Sequence, residues 1–170
     1  MKRAVLVGVA ALALVACSDP GPGKVHPYDR APVPAVPDRT HLVTSSGTIA
    51  DGQYWAVLSE EDRSGDDVLT FVLQYAEFGS DGSITVTEQP SRTVKGWPDW
   101  LVTLTVVAST RQNYAVPVDE VGRLASGAAP SAEAPEGYAY VDYPYLVTIS
   151  SGQVVEAHQI WLETPRQASA

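Results

Sequence analysis

Two β-forming runs near the carboxyl end, 143–150 and 153–162, are joined by Ser151-Gly152. No other feature constrains the fold of this chain as much. Val, Ile, Thr, Tyr and Trp fill both runs, and a two-residue link bearing glycine is a tight hairpin turn. With Ser150 opposite Gln153, the register predicts Ile149 against Val154, Val147 against Glu156 and Tyr145 against His158. Successive side chains on a strand point to opposite faces. One face then carries Tyr143, Tyr145, Val147, Ile149, Val154, Glu156, His158 and Ile160. The other carries Leu146, Thr148, Val155, Ala157, Gln159 and Trp161. Neither face is cleanly polar, so the hairpin is expected inside a sheet that is covered on both sides.

The segments before it read mostly as strands. Residues 53–58 form a short aromatic and β-branched run preceded by Asp51-Gly52. Residues 68–78 alternate Leu69, Phe71, Leu73 and Tyr75 against Thr70, Val72, Gln74 and Ala76, with a helix from Val72 as the competing reading. Asp81-Gly82 marks a tight turn before a run over 83–88. Residues 101–108 are rich in Val and Thr, and 114–118 can pair back on them across a turn at 111–113. Asp119 is placed to cap a short helical turn through Val121 and Leu124, which Gly122 weakens. The small, proline-bearing stretch 125–137 reads as an exposed loop. These signals predict a β-rich α+β domain over 48–165: a small antiparallel sheet with a C-terminal hairpin and at most one or two short helices.

The amino end is of another kind. Lys2 and Arg3 precede an uncharged apolar run over 4–16, which is shorter than the roughly 20 residues a membrane-spanning helix needs. It reads as a secretory signal segment over 1–16. Cys17, the single cysteine, follows Leu14-Val15-Ala16. This tetrad resembles the lipobox of bacterial lipoproteins. The resemblance implies cleavage before Cys17, a diacylglyceryl group on its thiol, and attachment to the cell membrane on the extracytoplasmic side. Several acyl chains make such an anchor durable where one holds only marginally. Cleavage without lipidation would leave Cys17 as a lone thiol. Either way no intrachain disulfide can form, so packing alone must stabilise the domain. Gly52-Gln53-Tyr54-Trp55, Leu69-Thr70-Phe71 and the closing hairpin also resemble the core strands of small exported actinobacterial proteins. That likeness implies fold and export, and no mechanism.

Residues 17–47 read as a disordered tether. Pro20, Pro22, Pro27, Pro32, Pro34 and Pro37 punctuate it, and it offers little apolar surface to offset its ordering entropy. His26 and His41 are expected to be solvated there, and a short tail over 166–170 is expected to be disordered as well. The formal net charge is −9, and −11 once Lys2 and Arg3 are removed with the leader. An acidic chain lacks the basic footprint that nucleic acid demands. Expected partners are the membrane, through the lipid on Cys17, and a cell-envelope protein or glycan. No cofactor is implied.

Three constellations carry chemistry. Glu156 and His158 lie two apart on one strand and so share a face, where a carboxylate can orient an imidazole for proton transfer. No nucleophile in a recognisable setting accompanies them, and a partly buried histidine hydrogen-bonded to Tyr or backbone is the favoured reading of the pair. Asp62, Ser64 and Asp66 place oxygen ligands at alternate positions, as a Ca²⁺ loop does. However, Gly65 is misplaced for the loop turn, and Leu73 stands where a bidentate Glu is needed. Trp97, Trp100, Tyr138 and Tyr140 can form an aromatic binding surface, since such rings give large contact area at low entropy cost. Core packing is the alternative for most of these rings. The sequence thus favours a tethered binding module, with an envelope hydrolase using Glu156 and His158, or a structural accessory lipoprotein, as alternatives.

Overall fold

The computed structural model describes residues 26–59, 69–96, 101–106 and 111–162. Within these residues, eight strands and one helix follow in the order β1 (Arg30–Ala31), β2 (Gly52–Leu58), β3 (Thr70–Phe78), β4 (Ile84–Lys95), β5 (Leu101–Val106), β6 (Gln112–Pro117), α1 (Val118–Ala125), β7 (Tyr145–Ser150) and β8 (Gln153–Gln159). They form one sheet in the order β1-β6-β5-β8-β7-β2-β3-β4. All pairs are antiparallel except β5 with β8. The fold is therefore β-rich, with one short helix among the described residues. The competing helix at Val72 does not form, because Val72 lies within β3.

The sheet curls. Gly96, just past β4, makes a parallel bridge to Val154 at the start of β8, and Val102 and Thr103 of β5 pair with Ala157 and His158 farther along. The β4 and β5 ends of the chain therefore both run beside β8, so β8-β7-β2-β3-β4 form a nearly closed barrel. Its interior holds Tyr54, Ala56, Leu69, Phe71, Leu73, Tyr145, Val147 and Ile149, and α1 adds Val118, Val121 and Leu124 to the same core. Trp55, Ala76, Leu146 and Ile160 form a second, smaller cluster on the outer face. Alternation explains the split within β2 and β7, where Trp55 and Leu146 point away from their neighbours. In β3 the register breaks between Leu73 and Tyr75. The extra residues there lie in β4, since the partner moves from Arg92 to Thr87, so the alternation of β3 is kept and carries Ala76 to the outer face.

The hairpin has the expected turn, with Ser151 at φ 53° and Gly152 at φ 76°. Two consecutive positive φ values match the strand twist of a two-residue hairpin loop. Asp51 accepts a hydrogen bond from the Ser151 N–H at 2.7 Å, which fixes the turn to the start of β2. The predicted register holds only for Ser150–Gln153 and Ile149–Val154. A β-bulge then sets Thr148 against Glu156, Val147 against Ala157, Leu146 against His158 and Tyr145 against Gln159. Val155 is the extra residue and is exposed. A bulge shifts all later residues of its strand by one, which exchanges their faces. Ala157 and Gln159 therefore join Tyr145 and Val147 inside, while Glu156 and His158 face outward with Leu146.

The proline-rich segment departs most from expectation. From residue 26 it is packed on the domain instead of hanging free. Tyr28 is buried in the main core, and its N–H donates to the Ala115 carbonyl. Arg30 and Ala31 pair with Tyr114 and Asn113. Past Pro37, the Phe78 N–H donates to the Asp38 carbonyl, Thr40 donates to Ala76 O, and His41 donates to Gln53 O. Thr40 and His41 thus wedge between β2 and β3 beyond the last paired residues of their ladder. Val43 follows into the core. Between these fixed ends, residues 32–37 run as a strap across the outer face. Roughly five inter-strand spacings of ~4.8 Å must be crossed. Eight residues span about 25 Å at ~3.1 Å each, so only an extended polyproline-type path fits. Prolines favour that path and cannot donate hydrogen bonds along it. With three residues per turn, Pro34 and Pro37 share the half-buried side, while Val33 and Val36 share an exposed one, at 58% and 47%.

Candidate functional site

The outer face beneath the strap brings the chemistry-bearing side chains together. Glu156 and His158 project from β8 beside Leu146 and Thr148 of β7 and Gln53 of β2, and Pro32, Pro34 and Ala35 of the strap wall the same cleft of about 220 Å³. The closest approach of the pair is 4.0 Å, from His158 Nε2 to Glu156 Oε2. The Thr148 hydroxyl donates a long 3.4 Å hydrogen bond to that carboxylate oxygen. His158 Nδ1 is buried and has no hydrogen-bond partner. Burial holds the imidazole below its ordinary value of 6.5, against a smaller opposing pull from Glu156. The expected pair therefore shares a face and a cleft. Tyr145 does not lie opposite His158, because the bulge in β8 sets Gln159 against it and turns His158 to the outer face.

As an acid–base device the pair is incomplete. Among the described residues no hydroxyl or thiol is hydrogen-bonded to either imidazole nitrogen. A nucleophile–base unit needs such a contact at about 2.6–3.2 Å. His158 is instead a half-covered group in a mixed cleft, its charged form disfavoured by burial. Also among the described residues, no three His, Cys, Asp or Glu side chains stand where they could hold a metal ion.

A second cleft, of about 170 Å³, opens on the other side of the strap. Val33, Pro34 and Val36 line one wall, Ile160 and Trp161 the other, and Arg111 lies with them. The Arg111 guanidinium sits 5.5 Å from the centre of the Trp161 ring. Tyr143 also packs on that indole, with ring centres 5.4 Å apart. This aromatic-and-cation cleft depends on a strap docked against β8, which composition alone conceals.

The aromatic surface expected at Tyr138 and Tyr140 is not an open one. Tyr138 is buried, with edge-on contacts to Tyr28 at 5.0 Å and Tyr114 at 6.1 Å. Desolvation drives its hydroxyl pKa strongly upward. Tyr140 is half-buried, and its hydroxyl reaches Asp142 at 3.5 Å. Both rings belong to the packing around α1. The centre of that packing is Glu120, a buried carboxylate that accepts from Tyr28 Oη at 2.6 Å, Arg123 Nε at 2.9 Å and the Ser131 N–H at 2.9 Å. Burial opposes ionisation, but these donors outweigh it and hold the Glu120 carboxyl below its ordinary range. Tyr28, desolvated and bonded to that carboxylate, is pushed up to about 12. Asp119 does not cap the helix: Pro117 holds the cap position and Asp119 sits in the first turn.

Cys17, the leader and residues 18–25 lie outside the described residues, as do Asp62, Ser64 and Asp66, Trp97 and Trp100, and the tail. Comparison of the chain with protein-family models, with curated proteins and with solved structures finds no match.

Proposed function

We propose that this chain is a lipid-anchored binding module of the cell envelope, held to the membrane through Cys17 and facing the extracytoplasmic side. The observation that carries the reading is the leader, in which Lys2, Arg3, a short apolar run and Leu14-Val15-Ala16-Cys17 stand in the order that lipidation requires. Binding is favoured over hydrolysis by the outer face, where the strap presents Val33 and Val36 beside Trp161 and Arg111. An aromatic ring flanked by apolar groups and a cation suits recognition of a protein segment or a glycan. Glu156 and His158 contribute polarity to the neighbouring cleft rather than turnover.

Mass spectrometry of the membrane-extracted protein beside Cys17→Ala tests the anchor. An N-terminus at Cys17 with acyl mass, lost in the variant, is the expected result. An unmodified chain released to the medium overturns it. Co-sedimentation with purified cell-wall material, compared between wild type and Trp161→Ala, tests the binding face. Retention unchanged by the substitution removes that face from the proposal.

A further inference from the structure

The strap is fixed by hydrogen bonds at its ends, through Tyr28 to Ala31 on one side and Asp38 to His41 on the other. Its middle contains Pro32, Pro34 and Pro37, which have no N–H to donate, and among the described residues no hydrogen bond ties 32–37 to the sheet. Directly below lies His158, with Nδ1 buried and unpartnered. A proton added to this ring makes both nitrogens donors. In the docked arrangement the one charged group within reach among the described residues is Glu156, at 4.0 Å, and that carboxylate is largely in solvent. The other walls offer no titratable group: Leu146 and Thr148 from β7, Gln53 from β2, and Pro32, Pro34 and Ala35 from the strap. Thr103, paired with His158 from β5, does not titrate either. A charged imidazole here keeps a buried donor without an acceptor, which is costly. Lifting the proline wall of the cleft that His158 lines would open the ring to water, which can accept from the added N–H.

We propose that the strap over residues 32–37 is a proton-operated lid, which lifts from the outer face when His158 is protonated and uncovers the cleft around Leu146, Thr148 and Glu156. The sign follows from linkage. The docked state binds the proton less well than the lifted state, so docking is fully favoured above the imidazole's ordinary value near 6.5 and weakens as pH falls below it. One linked proton changes the lifted-to-docked ratio by up to about tenfold per pH unit within that window. The lid stands apart from the anchor: it needs neither lipid nor partner.

The test is NMR on the full chain between pH 8 and 5. The His158 imidazole is titrated directly, while exposure of the Leu146 methyls, which are buried beneath the strap, is followed through relaxation by a neutral soluble nitroxide. The expected result is a rise in Leu146 relaxation whose midpoint coincides with that of His158, and a flat profile in His158→Gln. Leu146 shielding that stays constant while His158 titrates overturns the lid. So does the same rise in His158→Gln. If His158→Gln fails to fold, coincidence or separation of the two wild-type midpoints decides alone.

Discussion

Replacing Tyr28 with Phe removes one oxygen from the knot that fastens the amino-terminal segment to the domain. The ring stays where it is, 7% exposed and edge-on to Tyr138. Glu120, itself 8% exposed, loses the shortest of its three donors, at 2.6 Å, and keeps Arg123 and the Ser131 N–H. A hydrogen bond to a charged group contributes about 1.5–3 kcal/mol. For a domain of this size that corresponds to a melting temperature lowered by roughly 3–12 °C. Urea unfolding should show a lower midpoint with an unchanged slope, since the buried area is the same. The alkaline limb gives an independent reading. Tyr28 keeps its proton up to about 12 in the folded state, against 10.0 ordinarily. Its contribution is therefore fully present below about pH 10 and is lost as pH rises toward 12. The stability gap between wild type and Tyr28→Phe should close across that range. A difference under about 0.5 kcal/mol at neutral pH, a size typical of neutral surface substitutions, would falsify the knot.

Glu120→Gln should show the acid counterpart: its gap from wild type, present above the ordinary carboxylate value, closes as pH falls through the lowered folded-state value. Acid unfolding curves of the two proteins that stay parallel would contradict this. Gly52 has φ +148°, and a Cβ there would collide with the His41 imidazole. Gly52→Ala should therefore cost at least ~2 kcal/mol in thermal or urea unfolding, and adding His41→Ala should recover little of it, because the backbone strain stays. Deleting Val155 should be tolerated within about 1 kcal/mol, since the deletion straightens the bulge and leaves every other pair of the hairpin on its present face. Loss of the folded state on this deletion would mean that the bulge is needed by the fold.

The strands were legible where apolar alternation is uninterrupted, as at Leu69-Phe71-Leu73 and Tyr145-Val147-Ile149. The Ser151-Gly152 turn was legible too, because a two-residue link with glycine has few other uses. The bulge was not. Val155 is as good a strand former as its neighbours, and what displaces it is cross-strand pairing, which leaves no local mark. Composition misled most at 26–47. A stretch with many prolines reads as disordered, yet Tyr28, Thr40 and Val43 each find a buried place, and Tyr28 meets a carboxylate 92 residues away. Sparse apolar residues suffice when an existing sheet face awaits them. The same long-range packing buries Tyr138, whose repeated tyrosine pattern looks like a surface when read alone. Glu156 and His158 share a face whichever way the register runs, so their proximity was legible, while the strap above them was not.

Everything drawn from the outer face depends on the proline-rich segment being part of the fold. Native-state amide exchange at pH 7.5, read residue by residue, tests this most directly. Tyr28, Thr40 and His41 should exchange with opening free energies within about 1–2 kcal/mol of the central strands β2 and β7, since each donates into the sheet or its immediate extension. Exchange of all three at the rates of an unprotected chain, with β2 and β7 still protected, would contradict a docked strap and return the segment to a free tether.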